Sequence, residues 1–246
     1  MFMAKTLGIL GGLGPAASVY FYQLITRHTE ALCDQDHLDI ILISKASIPD
    51  RTDYILGRSA ESPLPSMTDG VKRLAESGAQ LIAIPCNTAH YFYDEIERLS
   101  PVPVLNIVKE TVFLAQRAGI QKLGIMATAG TVLSGTYQKV CDSCGVKAVL
   151  PCEDSQQTLM DIIYKDIKTA KNPDMNEFLA VTAELYAKGA EAIVLGCTEL
   201  SLIQGLENYP QFRFIDSLHV LAFRAIQECG KKPCGFPSIF TENQSI

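Results

Sequence analysis

Ile84-Pro85-Cys86-Asn87-Thr88-Ala89-His90 and Leu195-Gly196-Cys197-Thr198-Glu199-Leu200 read as two versions of one device. Each closes an apolar run with a cysteine and follows it with an amide or hydroxyl residue suited to capping a helix. Around them, short Val/Ile/Leu-rich runs at 6–10, 39–44, 80–85, 102–105, 122–127, 146–150, 192–196 and 213–215 alternate with amphipathic patterns at 16–32, 67–77, 91–99, 107–118, 158–167, 175–187 and 218–228. Such alternation predicts an α/β chain with parallel sheets and with ligands at the carboxyl ends of strands, where both cysteines fall. A thiol there lies near unpaired backbone N–H groups, which favour the thiolate. A lone cysteine reads as a small buried hydrophobe. Two equivalent placements, one in each half, read instead as proton-transfer groups on either side of a substrate, an arrangement suited to inverting a carbon centre.

The order of elements repeats. Gly8-Ile9-Leu10-Gly11-Gly12 is echoed by Gly124-Ile125-Met126-Ala127-Thr128, as Pro85-Cys86-Asn87-Thr88 is by Gly196-Cys197-Thr198-Glu199. The expected organisation is a first α/β unit over 1–106 and 210–230, a second over 107–209, and a loosely held tail over 231–246. The strand ends of the two units would share one cleft.

Composition narrows the function classes. The chain has 246 residues, 48% of them hydrophobic and 20% charged, enough apolar material for substantial cores. A net charge of −6 and a pI near 5.3 argue against nucleic-acid binding, which calls for a basic face. No apolar run is long enough to span a membrane, and the opening Met1-Phe2-Met3-Ala4-Lys5 lacks the apolar core of a secretory signal, so a cytoplasmic location is expected. The eight cysteines are spread over a chain with ample core, so reduced thiols are expected. Cys141 and Cys144 form a C-x-x-C with no second pair to complete a metal site. Gly12-Leu13-Gly14-Pro15-Ala16-Ala17 matches the form of a dinucleotide fingerprint after a strand, but the next strand ends in Ser44-Lys45, not in an acidic residue to hold a ribose. A tight turn with close backbone approach explains the glycines equally well.

Gly11-Gly12-Leu13-Gly14-Pro15, Pro49-Asp50-Arg51-Thr52, Pro85-Cys86-Asn87-Thr88-Ala89-His90 and Gly196-Cys197-Thr198-Glu199-Leu200, in this order, resemble the motifs of the aspartate/glutamate racemases. The resemblance extends from about residue 6 to residue 228. It implies two similar Rossmann-like α/β domains with mainly parallel sheets and the active site between them, catalysis without a cofactor or metal, and a homodimer. It places the catalytic positions on Cys86 and Cys197. Some members carry threonine at the first of these and accept one stereochemistry; this chain keeps both thiols. It also places substrate contacts on Leu13, where many relatives carry methionine, and on Arg51, Asn87, Thr88, Thr128, Lys168 and Thr198. Arg51 would grip a carboxylate with its planar fork, and Lys168 would be the second cation, with Lys165 as the alternative.

The implied reaction is racemisation of a small acidic amino acid, aspartate or glutamate, one thiolate removing the α-proton while the other thiol protonates the opposite face. His90 would tune Cys86 or merely pack, and Glu199 would meet the substrate ammonium or complement a helix N-terminus. Other readings are a cleft-cysteine enzyme of the hydantoin racemase, arylmalonate decarboxylase or maleate isomerase type, a non-catalytic amino-acid receptor, and a pyridoxal-phosphate racemase. The last lacks a phosphate cup paired with an obvious Schiff-base lysine.

Overall fold

Two parallel sheets organise the chain in this computed structural model, which describes residues 4–240. The first has the order β2-β1-β3, with β1 at Leu7–Gly11, β2 at Ile40–Ser44 and β3 at Leu81–Ala83. The second has the order β5-β4-β6-β7, with β4 at Lys122–Met126, β5 at Lys147–Val149, β6 at Ala192–Leu195 and β7 at Phe214–Asp216. Every pairing is parallel, from Leu7↔Ile40 and Leu7↔Leu81 to Leu123↔Ala192 and Ile193↔Phe214. Central β1 and β6 are buried along their whole length, as strands covered by helices on both faces must be.

The helices are α1 (Pro15–His28), α2 (Arg51–Ile55), α3 (Leu64–Glu76), α4 (Tyr93–Leu99), α5 (Ile107–Arg117), α6 (Ala129–Leu133), α7 (Thr136–Ser143), α8 (Glu153–Asp161), α9 (Met175–Ala187) and α10 (Ser217–Glu228). Their starts follow local chemistry. Pro15 opens α1, and side-chain oxygens of Asn106, Asp174 and Asp216 accept from the first free N–H groups of α5, α9 and α10. The five-residue helices α2 and α6 are too short to carry a periodic pattern and had no counterpart in the sequence reading.

Four expectations are corrected. The run at 102–105 contributes only an isolated bridge, Ile82↔Val104, because Pro101 and Pro103 have no N–H with which to extend a ladder. Residues 214–216, grouped above with the first unit, form β7 on the second sheet, beside β6. Helix α10 then packs against both α1 and α5. Its Leu218, Leu221, Ala222 and Ala225 join one apolar cluster that runs from Leu7 and Phe21 to Leu123 and Ile125, so the two sheets share a core. The periodicity at 16–32 stops at His28, where Thr29 turns extended and its hydroxyl donates to Ile25 O at 2.7 Å.

The fourth correction concerns the tail, which is docked as far as it is described. Thr29 bridges Pro233, Cys234 N donates to His28 O at 2.8 Å, and Phe236 lies 4.4 Å from the His28 ring. Phe240 is buried. The end of the expected tail, 241–246, and the opening residues 1–3 lie outside the described residues. Among the described residues, no helix is long and apolar enough to cross a membrane.

Candidate active site

Cys86 follows β3 and Cys197 follows β6, so each thiol stands at the carboxyl end of a strand in a different sheet. The chain turns after each cysteine into a short 3₁₀ segment, Thr88–Phe92 or Leu200–Leu202, and not directly into the α-helix expected. A hydrogen bond ties the two turns together, from Thr198 Oγ1 to Pro85 O at 3.2 Å. Between them lies a cavity of about 10 Å³. All nine site residues singled out from the sequence line it: Leu13, Arg51, Cys86, Asn87, Thr88, Thr128, Lys168, Cys197 and Thr198. Asp50, Thr52, Tyr164 and Glu199 complete the wall. A wider pocket of about 480 Å³ shares Asp50, Arg51, Lys168 and Glu199 with it and continues over Ile48, Ile167 and Leu202.

Arg51 opens α2 immediately after Asp50, whose carboxylate caps that helix by accepting from Asp53 N at 3.0 Å. The buried guanidinium donates to Pro49 O at 3.1 Å and to Leu13 O at 2.9 Å, while its Nε has no partner. Burial works against its charge, but Cys86, Asp50 and Tyr164 around it outweigh that and raise its pKa. It is a fixed cation against the first thiol.

Lys168 reaches the site through a break in regular helix. After α8 the chain winds through a π turn, Ile162–Asp166, and a 3₁₀ turn, Ile167–Thr169, and ends at Ala170 with φ 60°. Here Tyr164 and Lys168 face the cavity, whereas Lys165 pairs outward with Asp161 at 2.8 Å. The Lys168 Nζ lies 3.7 Å from Asp50 Oδ2 and 3.7 Å from the centre of the Tyr164 ring. Burial opposes its charge, and nearby Tyr164, Glu199, Cys197 and Asp50 more than restore it. Asp50 stays below the ordinary carboxylate range: the Asp53 N–H, Lys168 and Arg51 outweigh the burial that would raise it.

The thiols differ from the expectation of favoured thiolates. Burial pushes Cys86 up; Arg51 pulls it down and Glu199 pushes it up. Cys197 is pushed well above its ordinary value, first by burial and then by the carboxylate of Glu199, to which its Sγ–H donates at 3.0 Å. Desolvation exceeds what a few N–H groups return, so both thiols are displaced toward their protonated forms. The Glu199 Oε1 is buried without a partner.

Asn87 lines the cavity, but its amide is engaged on both sides: Nδ2 donates to Ser217 Oγ at 2.9 Å and Oδ1 accepts from Tyr137 OH at 2.7 Å. Thr88 meets Thr128 at 2.9 Å and Thr131 at 3.0 Å through hydroxyls, and the Thr128 hydroxyl caps α6. His90 stands behind Cys86 and outside the cavity wall. Burial lowers its pKa. The neutral ring donates from Nδ1 to Cys86 O at 2.8 Å and accepts from Ile107 N at Nε2, so it supports the turn and leaves the sulfur alone. Among the described residues, no group of three or more His, Cys, Asp and Glu side chains could hold a metal.

The glycine cluster has an internal use. Gly12 has φ +92° and lies against the Lys45 backbone, and a Cβ at Gly14 would run into Glu199 Oε1. Gly14→Ala is therefore expected to keep the fold, since its backbone at φ −133° suits alanine, while displacing the carboxylate and lowering turnover about tenfold. Circular dichroism alongside a rate measurement checks both halves of that expectation.

Sequence reading missed Asp50, Thr52 and Tyr164. Asp50 and Thr52 flank Arg51 in its motif, and Tyr164 precedes Lys168 by four residues, the spacing of one helical face.

Two parallel sheets with a thiol at one strand end of each, meeting at a buried cavity flanked by an arginine and a lysine, define a class of two-thiol α/β cleft proteins. The chain belongs to the Asp/Glu/Hydantoin racemase family, whose model matches residues 10–225. An aspartate racemase structure from Picrophilus torridus superposes with a TM-score of 0.83 at 30% identity, over 94% of this chain and 96% of that one. The broad specificity amino-acid racemase RacX of Bacillus subtilis is 28% identical over 205 residues, 80% of this chain and 86% of its own length. A glutamate racemase from Francisella tularensis, solved with D-glutamate, shares the fold at a TM-score of 0.65 and 16% identity, over 92% and 82% of the two chains.

Proposed function

We propose that the protein racemises an acidic amino acid, aspartate or glutamate, without a cofactor, by proton transfer between Cys86 and Cys197. The observation that supports this reading is that the two strand-end thiols, from different sheets, line one cavity together with Arg51 and Lys168. Two cations suit a substrate with two carboxylates. The unpartnered Glu199 Oε1 suits its ammonium.

In this mechanism a thiolate takes the α-proton, breaking C–H as S–H forms. The other thiol gives its proton to the opposite face. Beyond burial, the favouring Arg51 outweighs the opposing Glu199 at Cys86, whereas the opposing Glu199 outweighs the favouring Lys168 at Cys197. The pair is thus poised with Cys86 as base and Cys197 as acid, and the reverse reaction exchanges the roles. An α-carbon bearing an ammonium is a weak acid, so Arg51 or Lys168 must stabilise the charge that develops on the α-carboxylate; in a closed site this effect is large.

Because both thiols sit above their ordinary values, the fraction of thiolate grows with pH up to the lower of the two. We expect kcat/KM to rise close to tenfold per unit from about pH 6.5 to 8, a range in which the substrate's charges do not change. A flat profile there would count against a thiolate as the base.

Loss of optical rotation by L-aspartate, L-glutamate, a panel of neutral amino acids and substituted hydantoins, followed with dialysed protein and paired with calorimetric binding of the same compounds, tests the function. Turnover of an acidic amino acid is the expected result. Turnover of hydantoins alone would move the protein to another branch of its family, and tight binding without turnover would make it a receptor.

A further inference from the structure

Tyr137 touches both cysteine-bearing turns at once. From α7 its hydroxyl donates to Asn87 Oδ1 at 2.7 Å, next to Cys86. The edge of its ring lies against Gly196, next to Cys197, where an added Cβ would come within 3.1 Å of Cε2. The other side of the Asn87 amide donates to Ser217 Oγ at 2.9 Å, and Ser217 donates to Leu195 O at 2.7 Å, the last residue of β6. Tyr137 and Ser217 are completely buried, and neither lines the cavity.

These contacts matter because of where the sheets end. Backbone ladders within each sheet set the position of one cysteine each, but no ladder joins β3 to β6. The gap between the sulfurs is set by whatever crosses it, and inversion needs both on opposite faces of one carbon at proton-transfer distance, where an error near an ångström is costly. The crossing contacts that bracket both cysteines are Tyr137–Asn87–Ser217–Leu195, the ring of Tyr137 against Gly196, and the Thr198–Pro85 bond. Burial keeps the Tyr137 phenol neutral, so it remains a donor to the amide.

We propose that Tyr137, together with Ser217, is a positioning pair that fixes the separation of the Cys86 and Cys197 sulfurs. This rests on the two-thiol reading above. When the spacing fails, a carbanion formed by one sulfur is reprotonated from the side it came from. The α-hydrogen then exchanges with solvent through the thiol, S–H becoming S–D before return, but the configuration is kept.

The test runs wild type and Tyr137→Phe in heavy water with L-aspartate or L-glutamate, whichever the wild type turns over faster, following deuterium entry at Cα by proton resonance and inversion by chiral chromatography. The expected result is a fall in inversion of about tenfold with a smaller fall in exchange, so that the ratio of exchange to inversion rises several-fold. Simple loss of folded protein lowers both rates together, and an unchanged ratio overturns the proposal. If the phenylalanine variant does not fold, Ser217→Ala is measured in the same way and decides. Undiminished racemisation by the separate serine variants of Cys86 and Cys197 would instead remove the two-thiol reading, a result distinct from an unchanged ratio.

Discussion

Cys86→Ser and Cys197→Ser, made separately, are each expected to reduce racemisation by about 10³-fold or more. A serine hydroxyl is a far weaker acid than a thiol and does not ionise in the working range, so a serine at either turn can neither take the α-proton nor return promptly to the state that does. Both side chains are buried, at 6% and 5% exposure, and the substitution removes little volume, so the fold is expected to survive. The two variants should differ. Cys197→Ser leaves Cys86 beside Arg51, able to form a thiolate, and is expected to retain deuterium exchange of one enantiomer in heavy water. Cys86→Ser leaves Cys197 beside Glu199, which opposes its ionisation, and should exchange the other enantiomer more slowly. Retention of racemisation by both variants, measured by chiral chromatography, would end the two-thiol mechanism.

Arg51→Lys is expected to lower kcat/KM by about 10²-fold or more, and Arg51→Met by more again. The lysine keeps a charge but loses the planar fork, and it cannot both hold the Pro49 and Leu13 carbonyls and present donors to the cavity as the guanidinium does. Methionine leaves those carbonyls short of donors and removes the cation that favours the Cys86 thiolate. A pH profile of the same limiting slope, with its plateau displaced to higher pH, should accompany the loss, most clearly in Arg51→Met where the cation is gone. Binding of a non-reacting dicarboxylate such as succinate, measured by calorimetry, separates the two roles: weakened binding reports the carboxylate grip, and unchanged binding with slower turnover reports the effect on the thiol.

Much of this arrangement can be read without coordinates because strands and their ends are local features. The apolar runs that became β1 to β6 stand out by composition, and a cysteine followed by Asn-Thr or Thr-Glu marks where each run stops. The choice between Lys165 and Lys168 could not be read in the same way. It depends on which side of the segment after α8 the tertiary packing turns to the cleft, with Asp161 and Lys165 on the outer side and Tyr164 and Lys168 on the side that meets Asp50. The use of Asn87 was equally hidden, since its partners Tyr137 and Ser217 lie 50 and 130 residues away.

Taken by itself, the sequence determined that the chain is a parallel α/β protein with a thiol at a strand end in each half, because hydrophobic period and residue chemistry are properties of neighbours along the chain, whereas Arg51 was marked only by the motif's resemblance to a family. Only the tertiary structure decided that β7 joins the second sheet, that the tail through Phe240 is held against His28 and Phe223, and that burial raises both thiols above their ordinary values. Each of those depends on what is brought near from far along the chain and on how completely water is removed, and neither quantity is written in any one stretch of residues.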